Sequence, residues 1–119
     1  MPTNRQRGQH YEQIAAQYLT QHGLQIIAQN FFCKGGEIDL VALEQQTLVF
    51  IEVKYRQTNQ HGEASEFINT KKLQRLYRCA QVFLLKHRQF QQAAMRFDSL
   101  CITGQPDKIE WLKNIYNGW

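Results

Sequence analysis

A chain of 119 residues with a hydrophobic fraction of 43% holds enough apolar material for one folded domain and does not read as a disordered segment. No apolar run approaches the ~20 residues needed to cross a bilayer, and the polar stretch Met1–Gln13 has no apolar signal-type segment, so the expectation is a cytoplasmic protein with no membrane partner. A formal charge of +4 leaves a polyanionic partner open without requiring one.

Residues 8–22 read as a first helix. Tyr11, Ile14, Ala15, Tyr18 and Leu19 fall on one stripe, and Gly23 supplies a stop. Glu12 borders that stripe beside Leu19, placed to point along the surface toward a neighbouring strand end. Leu24–Phe32 reads as extended, with Asn30 and its aromatic neighbours blurring the boundary, and Lys34-Gly35-Gly36 marks a turn. Glu37–Leu43 and Leu48–Tyr55 read as two strands joined across Glu44–Thr47 as a hairpin.

Alternation sends residues two apart to one face of a strand. Leu48 and Phe50 therefore enter the core, Glu52 and Lys54 emerge beyond them on the same face, and Ile51, Val53 and Tyr55 take the other. Glu37 and Asp39 share a face by the same rule, with Glu37 expected at the strand entrance in a supporting or substrate-contacting place.

Residues 56–69 are polar and read as a mobile loop, after which Asn69 or Thr70 can cap a second helix. There Leu73, Leu76, Tyr77, Ala80, Phe83 and Leu84 form the inward face, while Lys71, Arg75, Arg78 and Lys86 gather on the outward one. Ala94–Ile102 is a further strand, Gly104–Asp107 a turn and Ile109–Leu112 a short terminal strand, with Tyr116 and Trp119 packing back as a tail. The expected architecture is α/β. Early pairing is antiparallel, and a crossover through the basic helix lays Met95–Ile102 parallel to a central strand.

Cys33, Cys79 and Cys101 are odd in number, widely separated and form no CxxC pair, so they read as free thiols rather than zinc ligands. His10, His22, His61 and His87 show no ligand spacing either.

An acidic residue on one strand, followed across a hairpin by Glu-x-Lys, has a direct chemical meaning. Mg²⁺, or Mn²⁺ in its place, takes oxygen ligands. Asp39 and Glu52 offer carboxylates, the Val53 carbonyl offers another oxygen, and Glu12 is the candidate third carboxylate. Such a cation lowers the pKa of water and offsets charge on a phosphodiester, with Lys54 orienting the attacking group or stabilising the transition state. The plainer alternative is that these acids only pair with Lys54 and other surface cations. Arg56 follows the same strand as a phosphate contact. Lys71, Lys72, Arg75 and Arg78 form a basic stretch suited to the nucleic-acid backbone, positioning it without reading sequence.

Gly36-Glu37-Ile38-Asp39-Leu40-Val41-Ala42 followed by Phe50-Ile51-Glu52-Val53-Lys54 resembles the bacterial UPF0102 (YraN-like) family. The likeness runs on through Gly8, Glu12, Gly23, Asn30, Lys71-Lys72 and Arg96-Phe97-Asp98, nearly the whole chain. That family is similar in turn to restriction-endonuclease-like enzymes of the PD-(D/E)xK class and to archaeal Holliday junction resolvases. The resemblance implies a single restriction-endonuclease-like domain over residues 1–119, a mixed central β-sheet flanked by helices. It further implies Asp39 and Glu52 as metal carboxylates, Lys54 as the catalytic lysine and Glu12 as the helical glutamate. Ile38 stands where the wider class often has a proline before its first acid. The expected activity is a Mg²⁺-dependent DNA endonuclease, with branched DNA as a candidate substrate, RNA left open and a homodimer implied if a symmetric junction is cut. The alternative is a non-catalytic nucleic-acid-binding protein that keeps the scaffold.

Overall fold

Five apolar-rich segments and two amphipathic ones, the first ahead of the strands and the second between the third and fourth, build a five-stranded sheet with a helix on each face. The computed structural model describes residues 3–56, 70–104 and 108–116. In chain order they form α1 (Asn4–Gln21), β1 (Gln25–Cys33), β2 (Gly36–Glu44), β3 (Thr47–Arg56), α2 (Thr70–Lys86), a short 3-10 turn (Arg88–Phe90), β4 (Ala94–Thr103) and β5 (Lys108–Leu112). The sheet order is β1-β2-β3-β4-β5. β2 pairs antiparallel with β1 and β3, and β5 antiparallel with β4. β3 and β4 run parallel, as the crossover through α2 demands.

Each face has its own core. On one, Ala15, Ala16 and Leu19 of α1 pack on Leu40, Ala42, Val49, Ile51, Leu100 and Ile102. On the other, Leu76, Cys79, Ala80 and Phe83 of α2 pack on Ile38, Val41, Leu48, Phe50 and Phe97. Val49 and Ile51 therefore face α1 while Leu48 and Phe50 face α2, as the alternation in β3 requires. Tyr11 stacks on Tyr55 with ring centroids 3.7 Å apart, fixing the N-terminal half of α1 over the end of β3.

Three expectations change. α1 begins ahead of Gly8 because Thr3 and Gln6 form a reciprocal capping box: Gln6 N donates to Thr3 Oγ1 at 3.1 Å and Thr3 N donates to Gln6 Oε1 at 2.8 Å. Cys33 and Cys79 are not free thiols but a disulfide, joining the end of β1 to α2. Only Cys101 stays free, and it is buried. A 46-residue separation hides this pairing in the sequence, because the fold is what brings the two Cα atoms to 5.5 Å. Finally, Thr70 is the first residue of α2 rather than its cap. The expected mobile loop beyond Arg56, the cap at Asn69, most of the Gly104–Asp107 turn and Trp119 lie outside the described residues.

Asp98, 1% exposed, locks the far side of the sheet. Arg96 grips it with two hydrogen bonds of 2.9 Å, and Trp111 Nε1 and Asn114 N each donate to it at 2.9 Å. Arg96 also reaches Glu44 at 2.7 Å. Among the described residues no helix is long and apolar enough to cross a membrane.

Candidate metal centre

The site begins where the sheet comes apart. The β2–β3 ladder runs from Glu44–Thr47 to Leu40–Ile51 and ends there. One step further, at the place opposite Glu52, Asp39 turns its carboxylate into the space between the strands and accepts from Val53 N at 2.8 Å. Its neighbours record the twist. Ile38 belongs to the α2-side core and Leu40 to the α1-side core, although residues two apart on a regular strand share a face. Across β1 the paired residues on either side are Gln29–Leu40 and Phe31–Ile38, and Asn30 between them adopts φ +54°, a left-handed conformation that asparagine tolerates better than most residues. Asp39 thus lies in the plane of the sheet, reachable from both faces.

From the α1 side comes Glu12, beside the Asn30 and Asp39 side chains. Glu37, from the mouth of β2, brings a third carboxylate up to Asp39. One carboxylate oxygen from each of Glu12, Glu37 and Asp39 lies within 4.8 Å of the others. On this side the gap opens into a groove of about 430 Å³, whose walls include Arg5, Gln9 and the exposed ring of Phe32.

From the α2 side come Glu52 and Lys54, projecting together. Glu52 is 8% exposed; Lys54 Nζ stands 3.7 Å from its Oε1, and Lys72 of α2 makes a direct ion pair with the same oxygen. Glu37, Asp39, Glu52, Lys72 and Arg75 line a cavity of about 200 Å³ here. The disulfide partner Cys79 lies near Gly36 at its edge, where a Cβ on Gly36 would meet Cys79 Sγ at 3.5 Å.

The electrostatics are those of acids crowded with too few donors. Burial, then the neighbouring Glu37 and Glu12, push the Asp39 carboxyl up to about 8 against the Val53 N–H bond that favours its charge. Burial also raises Glu12, with Glu37 adding to the effect. Burial lowers Lys54, and the nearby Lys72 and Arg56 lower it further against the pull of Glu52. For Lys72 burial is the largest effect and acts the same way, but Glu52, Lys54 and Asp39 together outweigh it and leave the ammonium above the ordinary lysine value. Glu12 Oε1 and Glu52 Oε2 are buried with no hydrogen-bond partner among the described residues. Anionic oxygen donors, two of them buried and unsatisfied, fit a hard divalent cation such as Mg²⁺ or Mn²⁺. Val53 fits too, since N–H and C=O of one extended residue leave the backbone on the same edge, here the edge facing Asp39.

The structure therefore brings together Glu12, Asp39, Glu52 and Lys54, four residues singled out in the sequence. It revises two neighbours. Glu37 stands at the entrance of β2 as expected but joins Glu12 and Asp39 as a third carboxylate, while Glu52 lines the cavity and lies outside that trio. Lys72 does not belong with the outward basic residues; it is half-buried and turned into the site. Arg75 lines the cavity, Lys71 and Arg78 are exposed on α2, and Arg56 closes β3 near enough to act on Lys54. Asn30, beside Glu12, stands in the sequence as a blurred strand boundary and as one residue of the family resemblance, with no site role.

Residues 11–102 match a family described as "Uncharacterised protein family UPF0102". A UPF0102 protein of Photobacterium profundum is 42% identical over 116 residues, covering 96% of this chain and 93% of the relative. One from Vibrio cholerae is 42% identical over 112 residues, covering 93% and 92%, and one from Pseudomonas fluorescens is 39% identical over 112 residues, covering 94% and 93%. With Glu12, Asp39, Glu52 and Lys54 all inside the matched segment, the chain belongs to the UPF0102 family.

Proposed function

We propose that this protein is a divalent-cation-dependent endonuclease with a restriction-endonuclease-like core, hydrolysing phosphodiester bonds in DNA and suited to branched or otherwise structured DNA. The observation that carries the reading is the opening between β2 and β3. It presents Asp39 to Glu12 and Glu37 on one side and, on the other, to a cavity lined by Glu52 and Lys72, with Lys54 3.7 Å from the Glu52 carboxylate.

Asp39, Glu52 and the Val53 carbonyl would hold the cation, with Glu12 as a further carboxylate and Glu37 beside it. When bound, Mg²⁺ or Mn²⁺ supplies positive charge against the phosphate and lowers the pKa of water. Lys54, on the same face as Glu52, places an ammonium where negative charge grows in the transition state. Arg56, Lys71, Arg75 and Arg78 contact the backbone away from the cut and set its position. Two coordinated cuts in a symmetric four-way junction call for a homodimer. A site that stayed an internal ion-pair cluster on a DNA-binding scaffold is the competing reading, favoured by the Lys72–Glu52 pair.

The test is cleavage of linear, single-stranded, flap and four-way DNA, with RNA alongside, in Mg²⁺ or Mn²⁺. Metal-dependent nicking that disappears in Glu52→Ala and Lys54→Ala supports the proposal. Equal cleavage by those folded variants overturns it, and DNA binding without cation uptake or cleavage favours the scaffold reading.

A further inference from the structure

The basic stretch at the start of α2 splits at adjacent residues. Lys71 points to solvent, whereas Lys72 turns into the cavity and ion-pairs with Glu52 Oε1, the oxygen that Lys54 approaches to 3.7 Å. Two ammonium groups thus share one oxygen of a side chain that is 10% exposed, while Glu52 Oε2 stays buried without a hydrogen-bond partner among the described residues. The two lysines are held differently. Lys54 rises from the central strand with its side chain 16% exposed, and Lys72 reaches in on a flexible stem with 34% exposure, so water is within its reach.

We propose that Lys72 is a resident counter-cation of the centre, occupying Glu52 until a divalent cation takes that carboxylate and then turning to a nucleic-acid phosphate. This rests on the nuclease reading above. The physical reason is competition. Four carboxylates surround the gap, and leaving Glu52 buried beside Asp39 with only Lys54 opposite would be costly. The ammonium offsets that charge in the cation-free protein, and a divalent ion must displace it. Lys72 then faces the cavity mouth beside Arg75, where a phosphate replaces the carboxylate as its partner. The outcome is a site whose affinity for metal is held down until metal and substrate arrive together.

Mn²⁺ binding by calorimetry on the full chain, without DNA, tests this apart from any cleavage. Lys72→Met is expected to bind Mn²⁺ about tenfold more tightly than the parent protein, because the competing charge is gone. Lys72→Arg is expected to restore the parent affinity, and Lys71→Met to leave it unchanged. Lys72→Gln gives the same readout should the methionine variant fold poorly. Equal or weaker Mn²⁺ binding by folded Lys72→Met and Lys72→Gln overturns the counter-cation role and leaves the nuclease reading standing. Absence of Mn²⁺ uptake by all the folded proteins overturns both.

Discussion

Two aspartates on neighbouring parts of one sheet have opposite surroundings. Asp98 on β4 is almost wholly buried, yet each of its oxygens has two donors: Arg96 Nε and Asn114 N on Oδ1, Arg96 Nη2 and Trp111 Nε1 on Oδ2, all at 2.9 Å. Asp39 on β2 receives the Val53 N–H and otherwise meets other acids, Glu37 and Glu12. The first arrangement is what a structural carboxylate requires, since burying a charge is tolerable when it is paired and hydrogen-bonded. The second leaves charge without enough donors, and only an added proton or cation completes it. Such unfinished electrostatics mark a binding or catalytic centre more often than a strut.

The sharpest way to separate the two clusters is activity. Glu52→Ala and Lys54→Ala are expected to lower cleavage by at least about a thousandfold while far-ultraviolet circular dichroism stays that of the folded protein. Stability should respond in the reverse sense. Asp98→Ala leaves Arg96 with Glu44 alone, removes the acceptor of Trp111 Nε1 and Asn114 N, and is expected to cost about 3–5 kcal/mol in urea unfolding, with or without divalent cation. Asp39→Asn keeps an acceptor for Val53 N–H, removes a crowded acid, and is expected to stabilise the cation-free protein by about 1–2 kcal/mol at neutral pH. A destabilised Asp39→Asn would place both aspartates in the same structural class.

The pH dependence sharpens the same contrast. The unfolded Asp39 carboxyl releases its proton near 3.8 and the folded one near about 8. Between those values the folded state holds a proton that the unfolded state has lost, so this residue's contribution to stability falls as pH rises through the window. Unfolding measured in chelator from pH 4 to 9 should show that slope, and Asp39→Asn should flatten it. The smallest effect belongs to the outer surface. Lys71→Ala and Arg78→Ala are each expected to weaken DNA binding two- to fivefold and lower the salt slope by about 1, with no change in cation affinity.

Much of this was legible because the local rules held where they were applied. The apolar alternation of Leu48 to Tyr55 assigned both faces of β3, and with them the shared side of Glu52 and Lys54. The wheel position of Glu12 pointed correctly toward a strand end. Alternation also put Glu37 beside Asp39, but not as a third carboxylate with Glu12, because β2 twists between Ile38 and Leu40 and turns Asp39 into the plane of the sheet. Lys72 counts in the sequence as part of a basic stretch suited to nucleic acid, because charge spacing does not show the reach of a long side chain toward a buried acid on another element. Cys33 with Cys79, like Trp111 on Asp98, depends on contacts between distant segments that no local period encodes, whereas Arg96 and Asp98 stand two apart on one strand.

The most direct measurement is the anomalous signal of Mn²⁺ in crystals of the protein. One peak within coordinating distance of the Asp39 carboxylate, in the gap toward Val53 and lost in Asp39→Asn, is the predicted result. Mn²⁺ at saturating concentration that leaves the gap empty, or a peak there unaffected by Asp39→Asn, would contradict the account.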